Sequence, residues 1–96
     1  MKRYEIWRVD RRPAVIVSLD VLNARQSTVT LCPLTSQLHP GWRSRLGVVV
    51  GRRRAEIAVD QIRTVSKSRI GSRVGALGPR DAAELRRLIA EMFATA

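Results

Sequence analysis

The sequence predicts an α+β protein that is mainly β, with a small, strongly bent antiparallel sheet or barrel packed against one C-terminal helix. Two observations predict this class. About five or six short runs rich in Val, Ile, Leu and Thr alternate with turn residues as far as Leu77. One amphipathic helical pattern then follows from Pro79. With 96 residues, 45% of them hydrophobic, the chain suffices for one core, and we predict a single domain over residues 1–96.

The first two strands are predicted to form a tight hairpin. Residues 4–10 carry a first strand with imperfect alternation, and only Asp10 and Arg11 separate it from the next apolar run. That run, Arg12-Pro13-Ala14-Val15-Ile16-Val17-Ser18, is continuous, which predicts a strand buried on both faces. Pro13 is tolerated at the start of a strand. Arg12 is therefore expected at the mouth of a rigid element, where a fixed guanidinium could hold a phosphate.

The middle of the chain is predicted to contain three strands. Residues 18–23 suit a turn or a short helical turn. Thr28–Cys32 alternates with period two and is expected to stop at Pro33. Residues 37–45 mark a loop, and the Val-rich run Leu46–Val50 predicts the next strand. Ala55–Val59 predicts another strand, with Glu56 and Ile57 on opposite faces.

The last part of the chain ends in a helix, which is the element that the sequence predicts most clearly. Residues 60–65 either continue extended or bend, and the final short strand is expected over Ile70–Leu77. Gly78 suits a helix N-cap and Pro79 the first helical position. The apolar residues that then recur at helical spacing form a stripe expected in the core or a subunit interface: Leu85, Leu88, Ile89, Met92 and Phe93.

The charge of the chain predicts an acidic partner. The net charge is +10, the pI is about 11.7, and Lys occurs only at Lys2 and Lys67, so nearly all positive charge is guanidinium. Because guanidinium matches phosphate geometry and stacks on bases, a nucleic acid is the leading candidate. A solvated charged surface is the alternative.

Cysteine and histidine usage points away from metal chemistry. Cys32 is the single cysteine, which predicts no disulfide and no thiolate metal site and is typical of a reducing cytoplasm. No His/Cys/Asp cluster has metal-ligand spacing, so we predict no cofactor. No apolar run is long enough to span a bilayer, so no membrane partner is expected.

Three segments of the chain carry a family resemblance. They are Arg12-Pro13-Ala14-Val15-Ile16-Val17-Ser18, Pro33-Leu34-Thr35-Ser36 and Asp60-Gln61-Ile62-Arg63-Thr64-Val65-Ser66-Lys67-Ser68-Arg69-Ile70. In this order they resemble the MazF/PemK family of toxin endoribonucleases, and Glu5-Ile6-Trp7-Arg8-Val9-Asp10 is similar to the family's opening strand. The resemblance extends from Tyr4 to the end of the helix.

The resemblance implies a fold, an activity and partners. The fold is an SH3-like small barrel of the CcdB/MazF type in a homodimer. The activity is that of an mRNA interferase, which cleaves single-stranded RNA at specific sequences without a metal. The implied inhibitor is an acidic MazE-like antitoxin whose extended tail fills the RNA groove. The family's Arg falls on Arg12, its Thr on Thr35 and its Asp on Asp60.

Two departures from the family pattern affect the site. Members usually have about a dozen more residues between the first strand and the Arg-Pro motif, whereas Arg11 here follows Asp10 directly. In the plasmid-borne branch, a catalytic Arg lies two positions before the Asp, where this chain has Ala58. A mechanism built on that Arg–Asp pair therefore does not transfer, and one built on Arg12 and Thr35 does.

The chemistry of RNA cleavage assigns these residues roles. Because the ribose 2′-OH is the nucleophile, the protein needs to position the chain, stabilise charge and move a proton. We expect Arg12 and Thr35 to clamp the scissile phosphate. Asp60, Glu56 or His39 could take the proton, and a solvated loop position is the main alternative for His39.

Binding beyond the scissile phosphate is expected from cationic and aromatic side chains. Trp42 either stacks on a base or packs against the protein. The run Arg52-Arg53-Arg54 is interpreted as a solvated turn and Ser36 as structural. The residues expected to follow the RNA backbone are Arg43, Arg45, Arg63, Lys67 and Arg69.

Two other functions fit the same sequence. One is a toxin that resembles CcdB, which shares the fold and inhibits gyrase without cutting RNA. The other is a non-catalytic RNA-binding module that keeps only the basic surface. Cleavage of RNA that depends on Arg12 would separate the endoribonuclease from both.

Overall fold

The computed structural model describes residues 1–94, and residues 95–96 of the predicted domain lie outside the described residues. The strands are β1 (Glu5–Val9), β2 (Arg12–Ile16), β3 (Thr28–Thr35), β4 (Arg45–Val50), β5 (Arg53–Ala58), β6 (Arg63–Ser66) and β7 (Ile70–Ala76). The helices are α1 (Asp20–Arg25) and α2 (Pro79–Phe93), and short 3-10 turns cover Val59–Gln61 and Lys67–Arg69.

The strands form one curled antiparallel sheet in the order β4-β5-β3-β2-β1-β7. One edge of β3 pairs with β2. Its other edge pairs first with β6, over Thr28–Leu31, and then with β5, at Leu34 and Thr35. Because β3 changes neighbour along its length, the sheet bends into a half-barrel, and the predicted mainly β class with a C-terminal helix is confirmed.

The expectation that Pro33 ends the third strand is wrong. β3 continues through Pro33 to Thr35, and Pro33 pairs with Ala14 of β2. Pro33 lies between Leu31, the last partner of β6, and Leu34, the first partner of β5. A strand tolerates proline where a ladder is interrupted, because a missing N–H there costs little.

Two hairpins close through two-residue turns in which both φ angles are positive. Asp10 and Arg11 join β1 to β2 with φ of 49° and 73°, and Gly51 and Arg52 join β4 to β5 with φ of 55° and 73°. This is the type I′ conformation, whose twist matches that of the flanking strands. The predicted tight first hairpin is confirmed.

The core lies on both faces of β2. Val15 packs with residues of β5 and α2 such as Ile57 and Leu85 on one face, while Ile16 packs with Val29 on the other. Val15 and Ile16 are both fully buried. The continuous apolar run therefore marks the central strand, as predicted, and Arg12 stands exposed at its start.

Helix α2 begins as predicted, with Gly78 as N-cap and Pro79 as the first helical residue. Leu85 and Leu88 are buried against the sheet, and Ile89 and Met92 pack partly on the same core. Phe93 is the exception, since 55% of it is exposed. At 100° per residue it lies about 80° around the helix from Leu85, at the edge of the stripe and in the last turn.

Residues 60–65 bend, which settles the alternative that the sequence leaves open. Asp60 and Gln61 lie in a 3-10 turn, and the chain becomes extended again at Arg63. Within residues 1–94, none of the helices has the length and apolar character needed to cross a membrane.

Candidate active site

An open groove of about 950 Å³ runs between the start of β2, the end of β3, the β4–β5 hairpin and the start of β6. Its floor is apolar and includes Ala14, Pro33 and Leu34. Five arginines line it: Arg8, Arg12, Arg53, Arg54 and Arg63. Within residues 1–94, its lining contains no Asp, Glu or His.

Arg12 and Thr35 both line this groove. The ladder between β2 and β3 pairs Ala14 with Pro33, and continuing that register by two residues brings Arg12 opposite Thr35. The Thr35 Oγ1 accepts a hydrogen bond from the Gln37 N–H at 3.1 Å. A hydroxyl has one proton to donate and two lone pairs, so the Thr35 proton remains available to a ligand.

The arginines of the groove differ in their partners from five arginines elsewhere in the fold. Within the described part of the chain, none of the five has an ion pair, whereas Arg43, Arg45, Arg69, Arg73 and Arg87 each bind a carboxylate. Unpaired guanidinium groups around an apolar floor give the groove a positive potential and leave their donors free. The groove can therefore bind an extended anion such as a nucleic-acid backbone.

Arg45, which is predicted to follow the RNA backbone, lies in a buried charge cluster. Its Nε donates to the Asp60 Oδ1 at 3.1 Å, and its Nη1 lies 3.6 Å from the Glu56 Oε1. The side chains of Arg45 and Glu56 are only 7% and 6% exposed. Because burial of a lone charge is unfavourable, the guanidinium is retained here by its two carboxylates.

The same cluster holds both carboxylates proposed as proton acceptors. Glu56 accepts the His39 backbone N–H at 2.8 Å, and Asp60 binds Arg45. Neither lines the groove. Arg45 is the cross-strand partner of Ala58, so the neighbouring strand supplies the guanidinium that Asp60 binds.

Trp42 does not line the groove. The Trp42 ring stacks on His39, with ring centroids 3.8 Å apart and an interplanar angle of 7°, and the Arg45 guanidinium carbon lies 4.9 Å from the Trp42 centroid. Arg43 pairs with Glu91 of α2 at 2.7 Å. Packing against the protein is thus the alternative that the geometry favours for Trp42.

Lys67 and Arg69 are also engaged within the protein. The Lys67 Nζ donates to the Asn23 carbonyl oxygen. The Arg69 guanidinium binds the Asp10 carboxylate at the first hairpin, with a Nε–Oδ2 distance of 3.0 Å, and this contact lowers the pKa of Asp10. Of the residues predicted to bind RNA, only Arg63 lies in the groove with Arg12 and Thr35.

Sequence reasoning missed several groove residues. Arg53 and Arg54 belong to β5 and line the groove, because the turn uses only Gly51 and Arg52. A two-residue turn beginning at Gly51 was the signal that could have placed them. Arg8, across the ladder from Pro13, and Ser36, taken as structural, line the groove as well.

The acidic, histidine and cysteine side chains of the fold are dispersed. Among residues 1–94, no three His, Cys, Asp or Glu side chains lie close enough together to hold a metal ion. Cys32 is fully buried, and this burial raises the pKa of its thiol to about 12.

Comparison with known proteins places this chain in a family. A model of the PemK-like, MazF-like toxins of type II toxin–antitoxin systems matches residues 2–93. A search of curated proteins finds no significant match.

Three solved structures share the fold. A mycobacterial endoribonuclease in complex with its cognate antitoxin is 19% identical, with a TM-score of 0.88 over 100% of this chain and 97% of that one. The Mycobacterium tuberculosis toxin MazF-mt6 is 20% identical, with a TM-score of 0.82 over 99% of each chain. A MazE–MazF complex from Deinococcus radiodurans is 18% identical, with a TM-score of 0.87 over 99% of this chain and 97% of that chain. The chain thus belongs to the PemK-like, MazF-like toxins of type II toxin–antitoxin systems.

Proposed function

We propose that the protein is a sequence-specific, metal-independent endoribonuclease that cleaves single-stranded RNA in the groove. One observation carries the proposal: Arg12 and Thr35 line a single groove with four further arginines, none of them in an ion pair within residues 1–94. The solved relatives include endoribonucleases, which supports the same activity.

Arg12 is assigned to the scissile phosphate. Attack on phosphorus gathers negative charge on the non-bridging oxygens, and a fixed guanidinium can bind two of them at once. β2 is buried beyond Pro13, so the base of this side chain is held by a rigid element. Such a preorganised donor typically stabilises a transition state by about 2.7–4 kcal/mol.

The RNA itself supplies the nucleophile. The 2′-oxygen attacks the adjacent phosphorus as its proton passes to solvent, and the bond to the 5′-oxygen breaks as that oxygen takes up a proton from solvent. The products are a 2′,3′-cyclic phosphate and a 5′-hydroxyl end. The Thr35 hydroxyl donates its proton to a phosphate oxygen, while the hydroxyl oxygen continues to accept the hydrogen bond from the Gln37 N–H.

The remaining groove residues bind the rest of the strand. Arg8, Arg53, Arg54 and Arg63 are assigned to neighbouring phosphates. Ser36, Gln37 and Gln61 also line the groove, and their hydroxyl and amide groups can hydrogen-bond to the edges of unstacked bases. These uncharged polar groups would give the cut its sequence preference.

The proposal includes partners and a compartment. An acidic MazE-like antitoxin would fill the same groove, whose lining contains no carboxylate within residues 1–94. Two of the solved relatives named above contain an antitoxin. A homodimer would cover exposed apolar side chains such as Val49 and Phe93. The cytoplasm, where messenger RNA is translated, is the proposed location.

Incubation of the purified protein with long single-stranded RNA in excess EDTA tests the activity. The wild type is expected to give cuts at defined sequences whose products carry a cyclic phosphate. Arg12→Ala is expected to lower the rate by about 10²–10³-fold. Arg86→Ala, on the exposed face of α2, removes the same charge outside the groove and should leave the rate unchanged.

Each alternative function predicts a different result. RNA binding without cuts would support the non-catalytic module, and inhibition of gyrase without cuts would support the CcdB-like toxin. Equal rates for wild type and Arg12→Ala would overturn the assignment of the site.

A further inference from the structure

We propose that Arg45 is a positioning residue for the groove. Its buried guanidinium holds two segments at one point: the loop that follows Thr35 and the 3-10 turn at Asp60, which contains Gln61 and precedes Arg63. The inference rests on the proposed function, because it assigns a part in RNA cleavage to a side chain that does not line the groove.

The first segment is the loop after Thr35. Thr35 pairs across the ladder with Glu56, and Glu56 accepts the His39 N–H at 2.8 Å. Arg45 Nη1 donates to the Gln37 carbonyl oxygen at 3.4 Å, and the Gln37 N–H in turn donates to Thr35 Oγ1 at 3.1 Å. The direction in which Thr35 can donate its proton therefore depends on a residue that Arg45 holds.

The second segment is the 3-10 turn at Asp60. Arg45 Nε donates to Asp60 Oδ1 at 3.1 Å, and the next residue, Gln61, lines the groove, as does Arg63 at the start of β6. A guanidinium is planar and carries its donors in a fixed fork. One side chain thus sets the relation between the Thr35 side of the groove and the Arg63 side.

Stability alone does not account for this arrangement. A buried ion cluster generally stabilises a fold no more than apolar side chains of the same volume. The cluster fixes the orientation of the segments that it joins, because each hydrogen bond fixes an angle as well as a distance. Loss of alignment by about 1 Å at a reacting centre is enough to lower a rate about 10²-fold.

The experiment compares Arg45→Lys with Arg87→Lys. Both changes keep the charge, but only the first removes a guanidinium that joins two segments. Arg87 is 65% exposed and, within residues 1–94, forms its ion pairs with Glu84 and Glu91 of its own helix. For Arg45→Lys we expect kcat for RNA cleavage in EDTA to fall at least about tenfold, with KM and the affinity for a 2′-O-methyl RNA changed less than about twofold, because the groove arginines remain.

A second readout reports the loop itself. Since the Arg45 guanidinium carbon lies 4.9 Å from the Trp42 ring centroid, the emission spectrum of Trp42 should change in Arg45→Lys and stay constant in Arg87→Lys. The spectra are recorded on proteins whose far-UV circular dichroism matches that of the wild type. Trp7→Phe as the common background leaves Trp42 as the reporter.

If Arg45→Lys does not fold, Asp60→Asn takes its place, because the Asp60 side chain is 34% exposed and Glu56 still pairs with Arg45. A positioning role predicts a lower kcat with an unchanged shape of the pH–rate profile. Loss of the acidic limb of that profile would identify Asp60 as a general base and overturn the inference.

The two proposals fail in different ways. A wild-type protein that cuts no RNA overturns the proposed function. An active wild type whose Arg45→Lys or Asp60→Asn variant keeps its kcat overturns the inference alone.

Discussion

Arg12 and Arg45 each stand at the beginning of a strand, yet they have opposite surroundings. Arg12 is exposed, lines the groove and has no ion pair within residues 1–94. Arg45 is 7% exposed and binds Asp60, with Glu56 close by. The Arg12 guanidinium can therefore donate its hydrogen bonds to a ligand. The Arg45 guanidinium already donates to groups of the protein itself.

The difference shows how a chain with 18 basic residues separates binding from structure. A carboxylate beside an arginine competes with any phosphate, so arginines with partners are weak anion sites. The groove excludes carboxylates from its described lining and leaves its arginines unpaired. Five arginines without an ion pair gathered in one groove that has no described carboxylate, more than the number of arginines in the chain, make this groove the candidate anion-binding surface.

Removing a partner from the buried cluster should have the largest effect on stability. Glu56→Ala leaves Arg45 with one carboxylate in a buried site and frees the His39 N–H. We expect the free energy of unfolding to fall by about 3–5 kcal/mol. Urea denaturation measures this free energy. Arg54→Ala, in the groove, is the comparison, and its free energy of unfolding is expected to differ from that of the wild type by less than about 0.5 kcal/mol. If Glu56→Ala and Arg54→Ala lowered the free energy of unfolding equally, the distinction between the buried cluster and the groove would be contradicted.

Removing the hydroxyl at position 35 should have a smaller effect in free energy, and this effect is on the rate of RNA cleavage. Thr35→Val keeps the shape and loses the donor, so we expect the RNA cleavage rate to fall about tenfold, or ~1.4 kcal/mol. Thr35→Ser keeps the donor and should retain most of the rate. Cleavage of a defined RNA under single-turnover conditions measures both, and a Val variant as active as the Ser variant would contradict the assignment.

The groove arginines other than Arg12 should contribute to the salt dependence of RNA binding. For single strands, the slope of log affinity against log salt is about −0.7 per neutralised phosphate. The double variant Arg53→Ala, Arg54→Ala should therefore have a slope less steep by about 1.4. The double variant Arg80→Ala, Arg86→Ala loses the same charge on α2 and should keep the wild-type slope.

The smallest effect concerns a pair near the surface. Glu5 accepts the Lys2 N–H and binds Arg73, and these contacts lower its pKa from 4.5 to about 2. A lowered pKa means that the carboxylate stabilises the fold fully above pH 4.5, and that this contribution is lost as the pH falls towards 2. Urea denaturation between pH 5 and pH 3 should show a weaker pH dependence for Glu5→Gln than for the wild type, and parallel curves would contradict it.

The sequence predicts best the elements that depend on local chemistry. The two residues at Asp10 and Arg11 leave room only for a tight turn, and Gly78 followed by Pro79 marks the start of α2. The unbroken apolar run after Pro13 identifies the central strand, because only a strand buried on both faces is apolar at every position.

The arginines show where sequence reasoning stops. Arg45 and Arg63 look alike in the sequence, and only the pairing of β4 with β5 brings Arg45 beside Glu56 and Asp60. Pro33 continues a strand because β3 changes neighbour there, which is a property of the whole sheet. Both outcomes depend on contacts between residues distant in the chain, which periodicity does not report.

Arginine side-chain NMR during titration with an uncleavable 2′-O-methyl RNA tests the separation of the two regions most directly. The Nε–Hε signals of Arg8, Arg12, Arg53, Arg54 and Arg63 should shift as RNA is added. Those of Arg45 and Arg69, held by carboxylates, should stay in place. Shifts confined to Arg45 and Arg69, with the groove signals unmoved, would contradict the assignment of the groove as the RNA-binding surface.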